Sequence, residues 1–217
     1  MRDLLRKRSQ LVRQKTAKLL SIENVLTRNP GLTFSGTRIK QLSEGEVEQL
    51  LPVPEIALAV KSNLAVRRCL EEQIESVERA VLERVKGKEV FQSLLTVSGI
   101  GHILGLTIML ETGTVDRFAR VGQFASSCRW VGSQKLSNGK RKGEGNTTNG
   151  NKYLAWAFVE AANFAGRYNP RIRRFYQRKQ AKTNGVVAIK AVAHKLARAC
   201  YYVMRDQVPF DVNKALA

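Results

Sequence analysis

The sequence predicts a mainly all-α protein: an N-terminal helical or coiled-coil arm, then a helical domain with a helix-hairpin-helix element and a basic glycine-rich loop. Three observations predict it. Apolar residues recur at helical spacing over two long stretches of the first half, with charges between them. Ser98-Gly99-Ile100-Gly101 interrupts a third apolar stretch as a tight turn. An alanine-rich stretch after Asn149-Gly150-Asn151 reads as a long helix with a small-residue face. The predicted division is 1–88 for the arm and 89–217 for the helical domain.

The first helix is expected over residues 1–28, from Leu4, Leu5, Leu11, Val12, Leu19 and Leu20, with Asn29-Pro30-Gly31 as its stop. Residues 31–54 read as mixed, with Phe34-Ser35-Gly36-Thr37 loop-like and Ser43-Glu44-Gly45-Glu46 a helix start. Pro52 and Pro54 are breakers, and a second long helix is expected over 55–86. Two long helices around a mixed hinge suggest an antiparallel hairpin. They either pack within one chain or form a coiled-coil arm that dimerises.

Composition bounds the function. Lys and Arg total 37 against 18 Asp and Glu, a formal charge of +19, so the default partner is a polyanion: DNA, RNA or an anionic membrane surface. No apolar run approaches the roughly 20 residues of a membrane span. The basic start, Met1 to Arg8, lacks the apolar core of a signal peptide. A cytoplasmic nucleic-acid-binding protein is therefore expected. Cys69, Cys128 and Cys200 are far apart, without CxxC spacing, and are expected to be reduced and half-buried. His102 and His194 have no metal-ligand spacing, and Glu111 and Asp116 are too sparse for a metal site.

The segment Leu94–Thr107 has the pattern of a helix ending near Val97, a turn at Gly99 and Gly101, and a second helix whose free N–H groups suit a backbone phosphate. Ile100 would point inward and lock the turn. The alternative is a plain packing corner with small residues at a close crossing. A helix is expected around Phe118–Ser126, followed by Cys128-Arg129-Trp130 and the loop Leu136-Ser137-Asn138-Gly139-Lys140-Arg141-Lys142-Gly143. One hydroxyl among three cations is what attack on a phosphodiester requires, and a basic loop with a polar filler is the bland reading. Lys152–Tyr168 is predicted as a helix packing through Leu154, Ala155, Phe158, Ala161, Ala162 and Ala165. From Ala161 through Arg205 there is no acidic residue, while Arg171, Arg173, Arg174 and Arg178 follow Asn169-Pro170. A field of one sign on that scale marks a binding surface. Tyr168, Phe175 and Tyr176 sit among these cations, either stacking on bases or stapling the helix to the core. His194 is read as a core-edge histidine.

The ordered set Ser98-Gly99-Ile100-Gly101, Trp130-Val131-Gly132, Ser137-Asn138-Gly139-Lys140 and Asn149-Gly150-Asn151 before the alanine-rich helix resembles a known family. It is similar to the C-terminal part of the bridge-RNA-guided insertion-sequence transposases, class one hundred ten, the DEDD/serine recombinases, over essentially all 217 residues. The resemblance implies DNA transposition, with Ser137 as the nucleophile that forms a covalent phosphoserine link to DNA. The usual Gly-Leu-x-Pro step is Val131-Gly132-Ser133-Gln134 here, which makes Ser133 a second candidate. The usual Leu-Arg pair is replaced within Tyr153-Leu154-Ala155-Trp156. Nucleic-acid contacts are expected from Gly99, Ile100, Gly101, Arg129, Lys140, Arg141, Lys142, Lys152, Arg171, Arg173, Arg174 and Arg178. Family members carry a RuvC-like domain with four acidic metal ligands. No such strand pattern precedes the arm here, so Mg²⁺ is expected only with that separate domain, and no metal or other cofactor in this chain. Expected partners are DNA, a structured guide RNA and further copies of the chain in a homodimer or larger oligomer, with no membrane. The setting implied is prokaryotic, cytoplasmic and nucleoid-associated. The rival readings are a non-catalytic DNA- or RNA-binding module and a structural dimerisation protein.

Overall fold

A computed structural model describes residues 1–130, 134–144 and 149–216, with the side chains of 134–136 and 141–144 outside the description. The chain forms two units, one reaching Val81 and the other running on from Leu82. Among the described residues there are eleven α-helices and one two-stranded sheet.

In the first unit, α1 (Arg2–Arg28) and α4 (Pro54–Glu83) are long because each carries an apolar stripe with enough partners to bury it. They run antiparallel within one chain. Arg8 pairs with Glu78 at 2.7 Å, Lys15 with Glu71 at 3.2 Å, and the Asn63 amide donates to Ser21 at 3.3 Å, so numbers rise on one helix as they fall on the other. Arg67, 4% exposed, also holds Glu71 at 2.7 Å. Between the long helices lie α2 (Gly36–Lys40) and α3 (Glu44–Leu50). Ile39, Leu42, Val47 and Leu51 close the core over Ile22, Leu26, Val60 and Leu64. The start expected at Ser43 is a full capping box with Glu46. Two expectations are corrected. Gly36 and Thr37 are not loop but the first residues of α2, which Ser35 caps, its hydroxyl accepting from the Arg38 N–H. Pro54 opens α4 instead of breaking it, since a helix's first position has no use for an N–H.

In the second unit, α5 (Glu89–Leu95) and α6 (His102–Thr112) flank the glycine turn. A single 3-10 turn (Val115–Arg117), α7 (Val121–Ser127), β1 (Gln134–Ser137), β2 (Lys140–Glu144), α8 (Lys152–Tyr168), α9 (Pro170–Lys182), α10 (Gly185–Asp206) and α11 (Val212–Leu216) follow. The central helix α10 packs on α5, α7, α8 and α9. An aromatic core fixes α7 between α8 and α10: Phe124 meets Phe158 edge-on at 6.2 Å, and the Tyr201 hydroxyl donates to the Phe118 carbonyl at 2.9 Å. The alanine face of α8 is buried through Ala157, Ala161, Ala162 and Ala165; Ala157, not the expected Ala155, completes it. The cysteines are free but not half-buried: Cys69 is exposed, whereas Cys128 and Cys200 are buried. Burial pushes the Cys128 thiol up to about 12, which leaves it protonated and unreactive.

Candidate nucleic-acid interface

Ser137 stands at the tip of a β-hairpin, where the sequence suggests a loop. Asn138 and Gly139 take φ of +50° and +71°, the pair of positive values that a type I′ turn requires. Asn-Gly is the strongest short hairpin signal, and the basic composition around it masked that signal. The strands are antiparallel, with Ser137 opposite Lys140, Leu136 opposite Arg141 and Lys135 opposite Gly143, so Lys142 is the extra residue of a bulge. Ser137 and Lys140 are both exposed. Directly opposed side chains share one face with Cβ atoms about 4.5–5.5 Å apart, so this register puts a hydroxyl beside an ammonium. Ser133 lies outside the described residues, as do the side chains of Arg141 and Lys142.

The segments that enter and leave the hairpin are clamped together. The Asn151 N–H donates to the Ser127 carbonyl at 2.7 Å, and the Arg129 guanidinium donates twice to the Gly150 carbonyl at 3.2 and 3.1 Å. Arg129, at φ +65°, is thus engaged by the protein's own backbone. Asn151 does more. Its Oδ1 accepts from the Tyr153 and Leu154 N–H groups, capping α8, and its Nδ2 donates to the Glu111 carboxylate at 2.7 Å. Glu111 is 3% exposed, so the sparse acid set aside at the sequence level is a structural anchor. Lys152 follows on the first turn of α8, exposed, with its Nζ 5.3 Å from the Tyr153 ring.

The glycine corner separates into two functions. Gly99, at φ +86°, lies against α8: a Cβ there would meet the Ala161 carbonyl oxygen at 2.3 Å and the Ala165 nitrogen at 2.5 Å. Ile100 is 5% exposed, so its side chain belongs to the core and only its backbone faces outward. Gly101, exposed and with open space around its Cβ position, is the N-cap of α6. The Asn169 amide donates to the Ser98 hydroxyl at 3.0 Å and ties the corner to the end of α8. The preceding helix ends at Leu95, earlier than expected, because Thr96 and Val97 bond back three residues.

The cations of α9 divide in the same way. Asn169 caps this helix through the Arg171 and Ile172 N–H groups, and Pro170 supplies its first position. Ile172 is the buried anchor. Arg171, Arg174 and Arg178 are exposed and recur at spacings that place them on one face. Arg173 instead turns back on α8, its Nε donating to the Gly166 carbonyl at 3.0 Å and its Nη2 to that of Arg167. It caps a helix C-terminus, where a cation is favoured. Phe175 and Tyr176 are half-buried, and Tyr168 is 76% exposed. His194 is half-buried, and desolvation, with Arg198 and Lys195 nearby, holds its imidazole below the ordinary value. That suits a neutral core-edge residue. Among the described residues no group of three or more His, Cys, Asp or Glu could hold a metal, and no helix is long and apolar enough to cross a membrane.

A helical body with a basic two-stranded finger and an exposed arginine stripe defines a cationic, mainly α-helical class of protein. Residues 91–177 match the model of the transposase IS116/IS110/IS902 family, a segment that contains the glycine corner, the finger, α8 and part of the stripe. A probable family 20 transposase of Pseudomonas aeruginosa is 26% identical over 216 residues, covering 94% of this chain and 63% of that protein. The transposase for insertion sequence element IS1328 of Yersinia enterocolitica is 26% identical over 144 residues, covering 64% of this chain and 43% of that protein. The chain thus spans less than two thirds of these curated relatives.

Proposed function

We propose that this chain binds DNA and acts in DNA transposition, with Ser137 as the nucleophile. One observation carries the reading: inside the segment that matches a transposase family, Ser137 is exposed at the tip of a tight hairpin, directly opposite Lys140. The Ser137 Oγ attacks a phosphodiester phosphorus and a P–O ester bond breaks. The proton of the hydroxyl passes to solvent or a base, and the leaving sugar oxygen takes up a proton. The phosphoserine link keeps the bond energy, so the reverse attack by another strand reseals DNA. Lys140 offsets the charge that develops on the phosphoryl oxygens. A serine hydroxyl is a weak nucleophile without activation. That activation would come from an acidic Mg²⁺-binding domain. Arg171, Arg174 and Arg178 hold the DNA backbone, a sequence-independent contact. A structured guide RNA and a second copy of the chain complete the proposed assembly, in a prokaryotic cytoplasm.

The test is Ser137→Ala, with denaturing gels to detect protein joined to labelled DNA in the presence of the acidic domain. The variant is expected to bind DNA as tightly as the parent and to form no covalent adduct. An adduct that persists in Ser137→Ala refutes the assignment. If the parent binds DNA but never forms an adduct, the alternative of a non-catalytic DNA- or RNA-binding module replaces this one.

A further inference from the structure

A cleft of about 550 Å³ opens beside the glycine corner, and its size lies within the range of ligand sites. Its walls include Gly101, His102, Ile103 and Leu104 from the start of α6, and Phe164 and Tyr168 from the end of α8. Two large aromatic side chains are left in solvent here, Phe164 at 38% and Tyr168 at 76% exposed. Each ring carries a large apolar surface suited to stacking. The surroundings are cationic. The Arg167 guanidinium lies 5.7 Å from the Phe164 ring, and Arg171 and Arg174 begin the stripe of α9 directly after Tyr168. Among the described residues no acidic residue lines the cleft. A flat apolar recess with exposed rings and a cationic margin complements a ligand that is planar on one side and anionic on the other.

We infer that this cleft takes an unpaired nucleobase, stacked on Tyr168 and Phe164, while the strand's phosphates pass along Arg171, Arg174 and Arg178. The inference rests on the nucleic-acid-binding reading above and adds a preference for single strands. A base inside a duplex keeps both faces on its neighbours, so it offers no free π-face to this recess. Along the helix Arg171 to Arg174 is a rise of about 4.5 Å and Arg174 to Arg178 about 6 Å, a pitch that an extended strand can follow. The corner makes the cleft possible: Gly99 lets α8 approach the turn so closely that Phe164 and Tyr168 reach the start of α6.

The test uses the full chain with single-stranded DNA and RNA oligonucleotides, each carrying one 2-aminopurine, and a duplex of the same length. Stacking quenches the fluorescent base. Tyr168→Ala is expected to weaken single-strand binding roughly 5- to 150-fold and to remove the quenching. Duplex affinity should stay unchanged and Tyr168→Phe should retain both signals. Tighter binding of the DNA or the RNA oligonucleotide identifies which strand the cleft serves. Equal quenching and affinity in Tyr168→Ala overturns this inference and leaves the nucleic-acid-binding reading standing. A parent chain that binds neither strand nor duplex overturns both. A change of oligomeric state on Tyr168→Ala, with quenching intact, assigns the recess to a second protein copy instead and overturns the base-binding role.

Discussion

Replacing Gly99 by alanine tests how the glycine corner is used. The added Cβ would stand 2.3 Å from the Ala161 carbonyl oxygen, 2.5 Å from the Ala165 nitrogen and 3.0 Å from the Ala165 Cα. All three are backbone atoms inside α8, so no side chain can swing aside. Holding alanine at φ +86° adds strain of about 1–2 kcal/mol. Overpacking of this kind costs about 1–3 kcal/mol more. The combined loss of about 2–5 kcal/mol lowers the melting temperature by roughly 4–20 °C for a domain of this size. Gly101→Ala supplies the contrast. Its Cβ meets nothing within 4 Å, so it should lose only what separates alanine from glycine at an N-cap, about 0.5–1 kcal/mol. Circular dichroism melts of both variants, with the parent alongside, measure the difference. Equal melting temperatures for Gly99→Ala and the parent would refute the packing argument. A Gly101→Ala chain that melts normally yet loses nucleic-acid affinity would show instead that the corner's role is contact with the ligand.

Asn151→Ala removes the cap of α8 and one donor to the buried Glu111 carboxylate together. The cap is worth about 1 kcal/mol and the lost buried hydrogen bond about 1–3 kcal/mol, so a drop of about 2–4 kcal/mol is expected in chemical denaturation. Asn151→Ser, which can still cap, should recover only the smaller share, and full recovery would show that the Glu111 contact is idle. In the arm, Glu46 is held down to about 2, chiefly by the Ser43 N–H and then by Arg38 and the Ser43 hydroxyl. A carboxyl depressed on folding contributes stability above its unfolded value of 4.5 and loses it as pH falls towards 2. Acid titration of the arm's helical signal should therefore show a loss over that window, smaller in Glu46→Gln, and an identical loss in both would remove Glu46 as its source.

What the sequence made legible follows from local chemistry. The limits of α8 could be read from Asn151 to Tyr168 because the capping residue and the alanine face are both local signals. Ser43 likewise announced α3 through its capping box. Two features are hidden from the sequence for different reasons. At Ser137–Lys140 the basic, glycine-rich composition suggests a loop, while Asn-Gly specifies a hairpin. At Arg173 and Arg129 charge alone suggests ligand contact, and nothing in a sequence tells which arginine will find a carbonyl of its own chain. Glu111 shows the same limit, since its partner Asn151 lies 40 residues away.

The hairpin changes what Ser137 can be. A serine in a mobile loop must be ordered before it reacts, at about 1–2 kcal/mol of backbone entropy per residue fixed. Here the I′ turn and the pairing with Lys140 set its backbone conformation, and Asn151, Arg129 and Gly150 hold together the segments that precede and follow the finger in sequence. The turn thus presents Ser137 and Lys140 together and exposed. That combination suits a nucleophile that has to reach a phosphodiester in a bulky duplex: the hydroxyl stays accessible, and its cationic neighbour travels with it. Arg129 and Arg173, held by carbonyls of their own chain, maintain the scaffold, whereas Lys140, Lys152 and the face of Arg171, Arg174 and Arg178 are exposed to meet an anion.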